Sequence, residues 1–123
     1  MSEKHRAEPP FHELLGARCL TRGGGKARYE LTVGPGHLNR RGVAHGGVVA
    51  GLLDTALGTA VVSAIAKEEW CGTMELSVQF REPVLPGPII AEGEVRDPAG
   101  RVLATAHGVW TIWPVRPPAS SAR

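Results

Sequence analysis

Asp54 is the residue that first asks for a chemical explanation. It lies within AGLLDTALG, inside the longest apolar run of the chain, where a carboxylate is costly to bury unless it is paired, hydrogen-bonded or used. In use it would act as a general base; as a structural group it would accept a hydrogen bond from nearby backbone or a facing threonine. A second feature precedes it. His45-Gly46-Gly47 reads as a helix entry, and the first amides of a helix lack intrahelical acceptors, so glycines there leave N–H groups open to an anion or oxyanion. A plain glycine-rich helix entry fits the same three residues.

The two features constrain each other. With a helix starting near Gly46, Asp54 sits about 12 Å down its axis at the ordinary rise per residue, too far for both to act on one carbonyl group. Two antiparallel copies of the helix at a two-fold axis would set the Gly46 amide of one against Asp54 of the other. The spacing thus points to a dimer with two shared sites.

Other chemistries find less support. His5, His12, His37, His45 and His107 show no compact ligand spacing, so no metal is expected. There is no G-x-S-x-G, and neither Cys19 nor Cys71 stands in a nucleophile signature. The RGGGK run lacks both phosphate-loop spacings and reads as a hairpin loop. Thr73 and Glu75 open a strand on its polar face, where solvation is the simplest role for either.

The elements that must hold these groups follow from periodicity. Phe11–Gly16 reads as a short helical turn closed by glycine. Ala17–Leu20 and Ala27–Val33 are strand-like, the second with Tyr29, Leu31 and Val33 on one face. A long helix runs from near Gly46 to Lys67 or Glu68. It is apolar all round, so it needs cover on most sides, and Gly51 and Gly58 within it point to close approach by other backbone or by a ligand. In TMELSVQFR, Met74, Leu76, Val78 and Phe80 alternate with polar residues. Ile89–Arg96 forms another strand, Asp97–Gly100 a turn, and Val102–Trp113 a last long strand. The order implies an α+β domain with an antiparallel sheet against a central helix.

Composition bounds the rest. The chain has 123 residues, enough for one cored domain, and its net charge of +2 with 5% aromatics leaves no footprint for nucleic acid. Two cysteines without paired spacing, and an N-terminus without a secretory pattern, lead us to expect a cytoplasmic protein. The polar residues inside the Val48–Ala66 run favour a helix buried in a soluble fold over a membrane span. Residues 1–10 are expected to be a flexible lead, 11–113 the domain, and 114–123 a disordered Pro/Ser/Ala-rich tail.

Asn39-x-x-Gly42-x-x-His45-Gly46-Gly47, followed by Asp54 in a small-residue-rich helix, resembles the signature of hotdog-fold acyl-CoA thioesterases of the phenylacetate-degradation type. The likeness extends from about Phe11 to Trp113 and takes in TMELSVQFREPVLPG and GRVLATAHGVW. It implies a sheet wrapped around the helix, a homodimer or homotetramer, and shared active sites. By position, it implies that Asp54 acts as general base or nucleophile and that the Gly46 amide polarises the thioester carbonyl. Asn39 would orient substrate or water, His45 would support the site, Gly47 would contact substrate, and Thr73 would help position the water. No cofactor is implied beyond the coenzyme A of the substrate itself. Members carry three strands after the Pro-Gly turn, whereas Pro88–Trp113 has room for only two around DPAG. The expectation is therefore a sheet short of one strand near residues 88–101, with the last strand pairing parallel or re-routed. A chain so shortened would read alternatively as a catalytically impaired hotdog protein that binds an acyl ligand or serves only in assembly.

Overall fold

A computed structural model describes residues 7–116. The ends of the expected lead and tail, 1–6 and 117–123, lie outside the described residues. Helix α1 (Pro10–Leu15) is followed by strands β1 (Arg18–Gly23) and β2 (Lys26–Val33), helix α2 (Gly46–Ala64), and strands β3 (Trp70–Phe80), β4 (Gly87–Ala91), β5 (Glu94–Arg96) and β6 (Val102–Trp113). The six strands form one sheet in the order β1-β2-β4-β5-β6-β3. All of its pairings are antiparallel, and the sheet packs against α2, which gives the hotdog arrangement.

Local chemistry explains most of the boundaries. Gly16 takes a left-handed conformation at φ 85° and closes α1, donating its N–H to His12 and Glu13 carbonyls. The β1–β2 hairpin turns at Gly24 and Gly25, both at positive φ, the geometry that matches the right-handed twist of the flanking strands. The triple glycine is thus hairpin chemistry. Asp97 Oδ1 accepts the N–H groups of Ala99 and Arg101, and Gly100 supplies a positive φ, which makes DPAG the β5–β6 turn. Helix α2 stops at Ala64 rather than at Lys67 or Glu68, with the β-branched Ile65 already extended. It is long and apolar enough by composition to cross a membrane, yet Val49, Leu52, Leu53 and Ala56 are buried against the sheet as the centre of the core.

The expected missing strand is not missing. The chain reverses at Glu92-Gly93, so Ile89–Arg96 is two short strands, with Ile90 opposite Arg96 and Ala91 opposite Val95. The last strand accordingly pairs antiparallel with β5 and needs no re-routing. Periodicity could not reveal this. Ala91 and Val95 are four residues apart, an even number, so the in–out alternation reads the same for one straight strand as for a tight hairpin. Arg28 reaches Glu92 at the turn at 2.6 Å, an exposed pair worth at most about 1 kcal/mol.

A bulge governs the β3–β6 pair. Thr73 lies opposite Trp110 and Glu75 opposite Val109, leaving Met74 as the extra residue. Gly108 makes room for it: a Cβ at that position would stand 2.4 Å from the Glu75 carbonyl oxygen and 2.8 Å from the Trp110 ring. Gly51 differs. A Cβ there would meet Phe11 and Leu15 of α1 at 3.5 and 3.6 Å, ordinary contact, so the close approach expected at this glycine leaves space for a methyl group. Gly51→Ala should therefore raise stability by roughly 0.5–1 kcal/mol through helix propensity. Gly108→Ala should lower it by about 2 kcal/mol or more. Chemical denaturation of the two variants reads both, and a Gly108→Ala protein as stable as wild type would show that the bulge does not need the glycine.

Candidate active site

Asp54 stands on α2 where the helix passes β3, half-buried, and its Oδ1 accepts a hydrogen bond of 2.7 Å from Thr73 Oγ1. Strict alternation would put Thr73 on the outer face beside Glu75. The extra residue at Met74 changes the parity, so Thr73 turns toward the helix while Leu76, Val78 and Phe80 keep the same side further along. Asp54 Oδ2 has no protein partner among the described residues. One oxygen of the carboxylate is thus fixed in place and the other is available.

The entry to α2 is built by the loop before it. Asn39 Oδ1 accepts the N–H groups of Arg41 at 2.8 Å and Val43 at 3.4 Å, and Gly42 adopts φ 81°. Asn39-x-x-Gly42 is therefore a loop-forming pair, the Asn39 side-chain oxygen accepting from backbone. His37, which the sequence did not single out, anchors the loop to α1. Its Nδ1 accepts from Gly34 N–H at 3.0 Å and its Nε2 donates to the Leu15 carbonyl at 2.6 Å.

His45 is the N-cap of α2, and its Nδ1 accepts the Gly47 N–H at 2.8 Å. The Gly47 amide is thus satisfied within the chain, because the imidazole reaches it as a capping side chain does. The Gly46 N–H, by contrast, has no acceptor among the described residues. The Phe80 ring lies 3.5 Å from where a Cβ of Gly46 would be, so the donor sits beside the far end of β3 from Thr73. Within one chain, Asp54 and Thr73 are brought together, and Gly46 is not brought to them.

A cavity of about 540 Å³ opens on Asp54 and Thr73, within the range of small-molecule sites. Its lining also includes Gly58 and Trp110, and Glu8, His12, Arg22, Tyr29 and Thr59. Among the described residues no three His, Cys, Asp or Glu side chains are grouped to hold a metal ion. Cys71, also at the cavity, is a free thiol whose pKa is raised by burial and then by the Asp54 carboxylate, an environment that disfavours a thiolate nucleophile.

Comparison with known proteins bears on this geometry. The family model described as the thioesterase superfamily matches residues 41–111. A Saccharolobus solfataricus protein named as a candidate esterase is 27% identical over 114 residues, 81% of each chain. Among solved structures, a candidate esterase from Mycobacterium tuberculosis superposes with a TM-score of 0.83 at 22% identity, covering 89% of this chain and 100% of that one. The E. coli PaaI protein from the phenylacetic acid degradation operon superposes with a TM-score of 0.77 at 20% identity, covering 84% and 83%. At those identities the two structures speak to the fold.

Tyr29 at the inner end of the cavity is 2% exposed and bonded to Thr59 Oγ1 at 3.1 Å. Burial pushes its pKa from 10.0 up to about 12. Because the folded value exceeds the unfolded one, this group's contribution is complete below pH 10.0 and is lost as pH rises from there toward about 12. Tyr29 is the only tyrosine of the chain, so phenolate absorbance reports it alone. It should appear near pH 12 in the folded protein and near 10.0 in denaturant, and Tyr29→Phe should flatten the alkaline fall in stability; a folded-state midpoint near 10.0 would contradict the burial.

Proposed function

Because the chain belongs to the thioesterase superfamily, whose shared reaction class is thioester hydrolysis, we propose that it hydrolyses an acyl-CoA thioester to the free acid and coenzyme A, at a site shared between two copies. The observation that carries this reading is the Thr73–Asp54 hydrogen bond at the mouth of the cavity. It fixes the carboxylate and leaves Oδ2 to take a proton from water.

The chemistry needs few groups. Water attacks the thioester carbonyl while Asp54 removes its proton. The developing oxyanion is stabilised by the Gly46 amide, a donor with no acceptor among the described residues. The tetrahedral intermediate then collapses, breaking the C–S bond, and the proton held by Asp54 passes to the departing sulfur. A thiol is acidic enough to leave with little further help, and no cofactor enters the balance. His45 supports the site by holding the helix entry, and Asn39 by shaping the loop before it.

The sheet edge supports the sharing. β3 is the last strand of the sheet, and its outer backbone groups are open to a further strand. Met74 and Phe80 on it are 65% and 55% exposed. The Phe80 end of β3 lies by Gly46 and the Thr73 end by Asp54. Antiparallel pairing of β3 with its copy would therefore carry the Gly46 end of one protomer to the Asp54 end of the other. That closes the gap of about 12 Å that separates them along one helix. The ground for reading the chain as catalytically impaired was a lost strand, and that strand is present.

Thiol release from acyl-CoA esters should be measurable and should fall by roughly 10²-fold or more in Asp54→Asn, with denaturation midpoints little changed. Equal release in the variant would reject Asp54 as the base. Gly46→Pro tests the amide. Proline suits the first helical position, the preceding His45 has a compatible φ −57° and ψ 139°, and the lost N–H has no acceptor among the described residues. Turnover should drop by about 10²–10³, whereas Gly46→Ala, which keeps the donor, should retain it. Mixing the Asp54→Asn and Gly46→Pro chains should restore about a quarter of wild-type activity through hybrid dimers with one intact site. No restoration after verified subunit exchange would refute the sharing.

A further inference from the structure

Trp110 enters the cavity from β6 with its indole N–H uncommitted. It stands directly opposite Thr73 across the β3–β6 pair, so the two side chains share a face of the sheet, and both line the cavity with Asp54. Glycines flank the ring at both ends. Its six-membered edge fills the space of a side chain at Gly108, where a Cβ would stand 2.8 Å away, and its Nε1 lies 3.5 Å from where a Cβ of Gly58 would be. The Nε1–H has no acceptor among the described residues and is not sealed from solvent. An indole nitrogen can only donate, and a donor left open on a half-buried side chain marks a place for a ligand or a water.

Three polar groups thus adjoin one space, each with a definite hydrogen-bonding role. Asp54 Oδ2 is an open acceptor. Thr73 gives its hydroxyl hydrogen to Asp54 Oδ1, which leaves Oγ1 able only to accept. Trp110 Nε1 supplies a donor. Gly58, beside that nitrogen, follows Asp54 by one turn on the same helix face, about 6 Å along the axis, which is the scale that one bridging water spans. Two acceptors and one donor are satisfied together by a water molecule. It gives one hydrogen to each oxygen, takes the indole hydrogen on one lone pair, and keeps the second lone pair free. A thioester or a carboxylate ion cannot do this, because neither donates. Cys71, Arg22 and His12 also line the cavity; the thiol is a weak donor, and a water held by any of the three in place of Trp110 is a distinct outcome of the test below.

We propose that Trp110 is a catalytic residue of this site, its Nε1–H fixing the attacking water against Asp54 and Thr73 with the free lone pair aimed at the thioester carbonyl. The proposal rests on the thioesterase reading for its reaction, and the water site itself is separable from it. In the step, the water oxygen bonds to the carbonyl carbon and its proton passes to Asp54 Oδ2. Collapse of the intermediate then breaks the C–S bond, and the sulfur leaves with the bonding pair and that proton. The indole hydrogen stays on its nitrogen throughout, so Trp110 orients the nucleophile and exchanges no proton with it.

The test removes the N–H and then returns it, with thiol release followed from hexanoyl-CoA or phenylacetyl-CoA, whichever wild type turns over faster. Trp110→Phe keeps an aromatic ring and loses the donor, so kcat should fall about 10- to 100-fold with KM little changed. In Trp110→His the five-membered ring takes the place of the indole's and can carry a hydrogen at Nε2, where Nε1 was, although more bulk is lost than in Trp110→Phe. Its kcat should exceed that of Trp110→Phe. A wild-type kcat in Trp110→Phe, or a Trp110→His protein no faster than Trp110→Phe, overturns the proposal and leaves Trp110 a wall of the cavity. Where wild type releases no thiol, or either variant fails to fold, a crystal structure of the wild-type protein decides. A water bonded to Asp54 Oδ2 and Trp110 Nε1 together sustains the site even with the hydrolase reading gone. A water held by Cys71, Arg22 or His12 instead of Trp110, or no water at Trp110 Nε1, overturns it.

Discussion

A helix that is apolar around nearly its whole circumference has to be covered on every side, and a single sheet covers only one. That constraint organises this molecule. Val49, Leu52, Leu53 and Ala56 of α2 are buried against the sheet, each of the larger ones contributing about 2 kcal/mol. The remaining faces are covered piecemeal. Phe11 and Leu15 of α1 lie over Gly51, the cavity lies beside Gly58, and Val62 is left 45% exposed. Asp54 sits at the join between the covered and the uncovered sides, which is where a carboxylate can be fixed without being sealed from the cavity.

One extra residue in β3 then decides the chemistry. Without the bulge at Met74, Thr73 would share the outer face with Glu75 and the carboxylate would have no hydroxyl partner from the sheet. With it, the strand places Thr73 at Asp54 and still returns Leu76, Val78 and Phe80 to the core side. The accommodation is made on the facing strand by Gly108, where the Glu75 carbonyl and the Trp110 ring occupy the space of a side chain. Trp110, folded back in this way, becomes a wall of the cavity.

The loop before α2 makes the complementary contribution. Asn39, Gly42 and His37 use their hydrogen bonds and conformations to set the point at which the helix begins. His45 caps Gly47, and among the described residues the Gly46 amide has no acceptor. Within the motif that resembles a catalytic signature, Asn39 and His45 thus each hold backbone N–H groups at the entry to the helix. The division is economical in physical terms, because an amide at a helix start needs no side chain, only a fixed direction.

Sequence alone determined the features that depend on neighbours in the chain. The long helix, the glycine turns, the Asp97 turn, the final strand and the eight-residue spacing of Gly46 and Asp54 all follow from propensity, periodicity and fixed rise. Tertiary structure decided whatever depends on which strand lies opposite. Thr73 faces Asp54 because β6 pairs across a bulge. Ile89–Arg96 is a hairpin although its alternation is that of one strand, because a reversal over an even number of residues leaves the parity intact. Gly108 is needed only because Glu75 and Trp110 arrive beside it. Glu8, His12, Tyr29 and Thr59 come from α1 and its lead, β2 and α2, and no spacing in the chain announces that they meet, since non-local contacts leave no period behind.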